Sequence, residues 1–107
     1  MTNELNNRDT TIDYNAAIRS QINRLADLLM RKNRDYGNAA FLSPALAPNI
    51  ESSSAILVRM SDKIQRLTNL AKALDARVVD ESFNDTVLDL AGYCLLYLVS
   101  QETQLTD

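Results

Sequence analysis

The chain has 107 residues, a formal net charge of −3 and 46% hydrophobic residues. This length and apolar content predict one globular domain, and the acidic balance argues against a basic surface that binds duplex DNA. The chain has no histidine and a single cysteine, Cys94, which excludes a catalytic histidine, a Cys/His zinc site and an intramolecular disulfide.

The chain shows no signal for secretion or for membrane insertion. Residues 1–11 are polar and contain no apolar segment of the kind found in signal peptides. The longest apolar run, from Leu90 to Val99, is too short to span a bilayer and is typical of a buried core helix. We therefore expect a cytoplasmic protein with a flexible segment at 1–11, one helical domain at 12–102 and a frayed tail at 103–107.

The first predicted element is an amphipathic helix from about Ile12 to Asp35. Its apolar residues recur every three or four positions, as one buried helix face requires: Ile18, Ile22, Leu25, Ala26 and Leu29. Gly37 stands where a left-handed helix C-cap is expected. Tyr36 precedes it, beside a long connection, and could either pack on that connection or stack on a nucleotide base.

The connection, residues 37–52, contains both prolines and only one charged residue, Glu51. It is long for a link between helices and too apolar to be a free linker. We therefore expect an ordered loop packed over the bundle, a type of loop that often covers a functional site.

The second predicted helix runs from about Ser53 to Ala76 and has an apolar stripe that includes Ile56, Met60, Ile64 and Leu67. Another stripe carries charged side chains: Arg59, Asp62, Lys63 and Arg66. One interpretation of these charges is a solvated face with an Asp62–Arg66 ion pair at i,i+4. The other is a site that binds phosphate through Arg59, Lys63 and Arg66.

The third predicted helix, from about Ser82 to Gln101, begins with acids and becomes apolar. Glu81, Asp85 and Asp89 are spaced by four residues and therefore share one helix face. Ser82 and Asp85 have the spacing of a capping box, and acids also suit the start of a helix. Asp89 lies deeper in the helix, and the face becomes apolar one turn later, so a basic side chain, a metal ion or both should face Asp85 and Asp89.

Carboxylates are the main candidates for metal binding and for acid or base chemistry in a chain without histidine. Asp62 on the second helix could face Asp85 and Asp89 on an antiparallel third helix. Oxygen ligands alone suit Mg²⁺, which completes its coordination shell with water and substrate phosphates. These residue types together predict a phosphorylated small-molecule ligand.

Three segments resemble the nucleotide modification associated domain 1 family, which is found in phages and bacteria. They carry an N-x-DYG motif at 33–37, an R-x-x-DK-x-x-RL motif at 59–67 and a DES-x-x-DT-x-x-DLAGY motif at 80–93. The resemblance implies a role in modified-nucleotide metabolism. On these motifs, Lys32 joins Arg59, Lys63 and Arg66 as candidate phosphate ligands, and Asp35, Tyr36 and Tyr93 are candidate base-binding residues.

The family in turn looks like a relative of the all-α nucleotide pyrophosphohydrolases of MazG type. Those enzymes bind Mg²⁺ through E-x-x-E and E-x-x-D motifs and release pyrophosphate from nucleoside triphosphates. The resemblance implies Mg²⁺ ligands at Asp62, Glu81, Asp85 and Asp89. Arg59 stands where the first of these motifs has an acid, and Asp85 and Asp89 are four residues apart instead of three.

Three functions therefore remain open. The first is Mg²⁺-dependent hydrolysis of a nucleoside triphosphate. The second is binding and sequestration of a nucleotide or nucleotide signal without cleavage, as a phage protein could do, and the third is a structural assembly protein with no ligand. For each function we expect an all-α, MazG-like antiparallel bundle of three main helices. Two helices and a loop cannot cover every side of the apolar third helix, so we also expect a homo-oligomer, at least a dimer.

Overall fold

The computed structural model describes residues 11–73 and 81–106, with side chains at 11–72 and 82–102. Three α-helices occupy most of this part: α1 (Tyr14–Tyr36), α2 (Ser52–Ala73) and α3 (Glu81–Thr106). A short 3₁₀ turn, Ala39–Phe41, lies in the connection between α1 and α2, and no strand occurs within the described ranges. The predicted all-α class is therefore confirmed.

The helix ends follow local chemistry. The carboxylate of Asp13 caps α1 by accepting a hydrogen bond of 3.1 Å from the backbone N–H of Ala16. Gly37 ends the helix in the left-handed conformation at φ 57°, and its N–H donates to the carbonyl of Asn33. Helix α3 already includes Glu81, so Ser82 is not the N-cap that its spacing suggested, and the helix continues to Thr106.

Helices α2 and α3 form the main packing pair, antiparallel and closely apposed. Two side-chain contacts fix their register, because Lys63 meets Asp89 and Arg66 meets Thr86. Helix α1 joins this pair through its C-terminal half, where Leu25 and Leu29 approach Gly92 of α3. Ile56 of α2 lies at the centre of the fold, with 1% of its surface exposed.

The N-terminal half of α1 shares its apolar stripe with the half that packs on α3. Its apolar side chains are nevertheless exposed, among them Ile18 and Ile22. No helix in the described part of the chain is long and apolar enough to cross a membrane.

The side chains of Arg66 and Thr86 connect α2 to α3. Arg66 donates from Nε to Thr86 Oγ1 at 3.1 Å and from Nη2 to Ser82 Oγ at 3.3 Å. Thr86 is buried, and its hydroxyl donates a hydrogen bond of 2.8 Å to the carbonyl of Ser82. Arg66 therefore stabilises this helix contact, and no ion pair joins it to Asp62 within the described side chains.

Candidate functional site

A cleft of about 530 Å³ lies between the C-terminal half of α1, the loop that follows it and the α2–α3 pair. This volume is within the range of ~300–1,000 Å³ that is typical of small-molecule sites. Apolar side chains from all three helices form much of its wall, including Leu29, Ile56 and Leu96. The charged and amide groups at the cleft are few: Lys32, Asn33, Arg59, Lys63 and Asp89.

Asp89 is the only acidic side chain among the described residues that line this cleft. One of its oxygens lies 3.6 Å from Lys32 Nζ and the other lies 3.4 Å from Lys63 Nζ. The two lysines come from α1 and α2, so one carboxylate on α3 connects all three helices. The prediction of a cation is thus confirmed for Asp89, which two basic side chains face, whereas no ion pair joins Asp85 to another described side chain.

Arg59 lies on the same side of α2 as Lys63, one turn earlier, and also lines the cleft. Its side chain is exposed, and no ion pair or hydrogen bond joins it to another described side chain. Within the described side chains, the positive charge that Arg59 brings to the cleft therefore has no acidic partner. A planar guanidinium in this situation can bind a phosphate through two parallel hydrogen bonds.

Gly92 lies where α1 packs against α3 at the cleft. A Cβ atom at this position would lie 2.9 Å from Leu29 Cδ2 and 3.8 Å from Leu25 Cδ1. The absence of a side chain therefore lets α1 approach α3 one turn from the Lys32–Asp89 pair. The glycine of the DLAGY motif is thus explained by close helix packing.

The N-x-DYG motif shapes the mouth of the cleft. Asn33 Nδ2 donates to Asn38 Oδ1 at 2.6 Å, and the Asn33 carbonyl accepts from the N–H of Asn38 at 3.3 Å. Asn38 is left-handed at φ 65°, directly after the left-handed Gly37. These contacts turn the chain so that Ala39, Ala40, Leu42 and Pro44 line the cleft.

Two tyrosines stand at the cleft in different environments. Tyr36, the last residue of α1, is 71% exposed at the mouth. Tyr93 is half-buried in the wall formed by α3. Both offer aromatic surface to a ligand that occupies the cleft.

The cleft thus brings together six of the predicted site residues, which are Lys32, Tyr36, Arg59, Lys63, Asp89 and Tyr93. Three predicted acidic residues are exposed and lie outside the lining of the cleft: Asp35, Asp62 and Asp85. Arg66 also lies outside it, at the α2–α3 contact with Thr86. The side chain of Glu81 is outside the described part. Asn33 and the apolar wall were missed as site residues, although Asn33 stands in a motif that the sequence made visible.

The predicted magnesium ligands do not gather in the cleft as its basic side chains do, because Asp89 alone among the described ones lines it. Within the described side chains, no group of three or more acidic, histidine or cysteine residues is arranged to hold a metal ion. Asp89 meets two lysines, and Asp85 lies one turn earlier on the exposed part of α3. A magnesium site at Asp62, Glu81, Asp85 and Asp89 stays a prediction.

Residues 32–100 match the model of the nucleotide modification associated domain 1 family. The chain belongs to this family. The match begins at Lys32 and covers every charged residue of the cleft as well as the loop that closes its mouth. Neither a curated protein nor a solved structure matches the chain, and the link to MazG-type enzymes stays a prediction.

Proposed function

We propose that this member of the nucleotide modification associated domain 1 family binds a nucleotide, or a small molecule derived from one, in the cleft. One observation carries the proposal: three cations from two helices meet an apolar, tyrosine-flanked wall in a single cavity of ligand size. The family's association with nucleotide modification supports the same ligand class.

The charges of the cleft suit the phosphate end of such a ligand. Lys32, Arg59 and Lys63 supply three positive charges, and Asp89 supplies one negative charge. Arg59 is the anchor in this proposal because no described side chain compensates its charge. The lysines contribute by sharing their ammonium groups between Asp89 and the phosphate oxygens.

The remainder of the cleft suits a nucleoside. Its wall of leucine, isoleucine and alanine side chains removes apolar ligand surface from water, which favours binding. Tyr36 at the mouth and Tyr93 in the wall offer faces against which a base can stack. The Asn33 amide is engaged with Asn38, so its remaining hydrogen-bonding capacity is available to the ligand.

A ligand screen tests the proposal directly. The protein is equilibrated with a panel of nucleoside monophosphates and triphosphates, with and without Mg²⁺, and the retained ligand is identified by mass spectrometry. We expect retention of a nucleotide without Mg²⁺, recovered intact. A protein that retains no member of the panel, even at millimolar concentration, would contradict the proposal.

Mg²⁺-dependent hydrolysis is the second candidate, and one observation favours it. Asp85 and Asp89 stand one turn apart on α3, which is helical at both positions. A magnesium ion held there would need further oxygen ligands, and Asp62 and Glu81 are the predicted ones. The ion would offset charge on the phosphates and activate water. In the same screen, this function predicts pyrophosphate release only when Mg²⁺ is present.

Asp89→Asn separates the two candidates. For binding alone, we expect the affinity for a nucleoside monophosphate without Mg²⁺ to rise by roughly threefold to tenfold, since a like charge leaves the phosphate site. Stability should fall by at most about 1 kcal/mol, because the two ion pairs are partly exposed. Calorimetric titration and urea unfolding measure the two effects.

Asp85→Asn is the matched control, because it makes the same change one turn earlier and outside the cleft. It should leave the affinity and the stability unchanged. A loss of Mg²⁺-dependent turnover in both variants would instead favour the hydrolase.

Tyr36→Ala should weaken nucleotide binding by about 10- to 100-fold, the loss expected when a ring that stacks on a base is removed. Tyr36→Phe keeps the ring and should bind nearly as the natural protein does. Because Tyr36 is 71% exposed, neither change should alter stability by more than about 0.5 kcal/mol. Equal affinities for the natural protein and Tyr36→Ala would exclude stacking.

A further inference from the structure

The side of the α2–α3 pair that faces away from the cleft is apolar and exposed. The helical repeat puts Leu57 and Ile64 on one edge of α2, turned away from Ile56, Arg59 and Lys63. It puts Val87, Ala91, Cys94 and Leu98 on the corresponding edge of α3. We call these six residues the rear face.

The large side chains of the rear face are exposed to solvent. Leu57 and Val87 are each 44% exposed, Ile64 is 52% exposed and Leu98 is 61% exposed. On this edge no charged residue occurs at 57–71 of α2 or at 87–101 of α3. An exposed apolar face of this kind, two helices wide, is typical of a protein–protein interface.

The hydroxyl groups beside the rear face are satisfied within their own helix. Ser61 Oγ donates to the carbonyl of Leu57 at 3.0 Å, and Thr68 Oγ1 donates to the carbonyl of Ile64 at 2.9 Å. Neither hydroxyl hydrogen needs a partner from solvent. A covering molecule could therefore bury this edge of α2 without leaving those donors unpaired.

The rear face has the spacing of a surface that can pair with itself. On α3, large residues at 87 and 98 flank small residues at 91 and 94, and both pairs have their midpoint between Gly92 and Tyr93. If a second α3 lies antiparallel across that midpoint, Val87 meets the other copy's Leu98. Ala91 then meets the other copy's Cys94, and two small residues allow close approach of the helices.

Helix α2 shares this centre of symmetry. The midpoint of Leu57 and Ile64 falls between Met60 and Ser61. In the register set by Lys63–Asp89 and Arg66–Thr86, that point is level with Ala91 and Gly92 of α3. The two midpoints therefore agree within about one residue, roughly 1.5 Å along the helix. One two-fold axis perpendicular to the helices can satisfy both.

We propose that the rear face binds a second copy of this chain, with α2 on α2 and α3 on α3, each pair antiparallel. Two-fold symmetry uses the same patch on both partners, which the shared midpoint provides and which an unrelated protein would not require. A specific interface buries about 800 Å² per partner. A face two helices wide, about 20 Å across, supplies more of that area than one helix edge does, and the side chains around the six residues would supply the rest.

This arrangement puts the two clefts on opposite outer surfaces of the dimer. Each cleft is complete within one chain, because α1, the loop and the α2–α3 pair of the same copy line it. Assembly and ligand binding should therefore be separable by mutation. Leu96, which lines the cleft, does not belong to the interface in this arrangement.

Cysteine cross-linking tests the antiparallel pairing without any ligand. In a Cys94→Ala background, the double variant Val87→Cys/Leu98→Cys is oxidised and its mass is read on a non-reducing gel. Positions 87 and 98 of one α3 are roughly 16 Å apart, too far for an internal disulfide. We expect the double variant to move to the dimer band.

The two single variants, Val87→Cys and Leu98→Cys, are the matched controls. In the proposed dimer, identical positions also lie roughly 16 Å apart across the two-fold axis, so both should stay monomeric on the gel. Cross-linking of both single variants would show parallel pairing and overturn the proposal. A double variant that does not cross-link would overturn it as well.

Light scattering at micromolar concentration gives an independent readout. The natural protein should have the mass of a dimer, and Leu98→Glu should have the mass of a folded monomer, because a buried unpaired charge opposes the interface. Leu46→Glu makes the same change at a residue that is 100% exposed on the loop, and it should remain a dimer. A monomeric natural protein would overturn the proposal, whatever the cleft binds.

Discussion

Replacing Arg59 by alanine should weaken nucleotide binding by about 10- to 100-fold, the cost of losing a hydrogen bond between charged groups. The arginine lines the cleft, and no described side chain competes for its guanidinium. Its loss should therefore affect the bound state much more than the free protein. Thermal unfolding without ligand should change little, because the side chain is exposed.

Lys72→Ala is the matched control for Arg59→Ala. It also removes one positive charge from α2, but at an exposed residue in the last turn, outside the cleft. Calorimetric titration of both variants with the nucleotide identified by the screen separates a local contact from general charge attraction. Equal losses of affinity in the two variants would contradict a phosphate contact at Arg59.

Ile56→Ala should destabilise the protein by about 2 to 4 kcal/mol, because it leaves a cavity at a fully buried position. This is a large part of the roughly 5 to 15 kcal/mol that stabilises a typical domain. The midpoint of thermal unfolding should fall by roughly 10 to 20 °C for a chain of this size. Unfolding must be compared at one protein concentration, since self-association would add to stability.

Ile22→Ala removes the same atoms from a residue of α1 that is 59% exposed. It should cost no more than about 0.5 kcal/mol, because little apolar surface returns to water. Similar losses in Ile56→Ala and Ile22→Ala would mean that Ile56 is not the centre of the packing. A large loss in Ile22→Ala alone would point to a partner that covers the N-terminal half of α1.

The local structure of the site follows closely from the sequence. Helix periodicity, Gly37 as a C-cap and the charged stripe of α2 depend on neighbours within one or two turns. The ends of α1 and the start of α2 therefore fall within two residues of the predicted positions. The need for a positive charge near Asp89 was also a local deduction, because neighbouring carboxylates on a face that becomes apolar one turn later are costly without one.

Which residues lie beside each charged side chain depended on how separate helices pack. The sequence grouped Arg59, Lys63 and Arg66 because they share a stripe, yet Arg66 lies seven positions, about two turns, after Arg59. That distance carries Arg66 past the end of the cleft to Ser82 and Thr86, while Arg59 and Lys63 stay beside α1. The acids of α3 divide in the same way, with Asp89 in the cleft and Asp85 outside it.

The sequence by itself therefore determined the helices, the motifs and the family, since these are properties of short segments and their order. Only the tertiary structure decided that Lys32 of α1 reaches Asp89, that Gly92 lets α1 approach and that the loop lines the cleft. It also separated the cleft from the rear face. The physical reason is that a helix repeat fixes which side chains share a face but not what that face meets. Contacts between distant segments depend on the register and angle at which the helices pack.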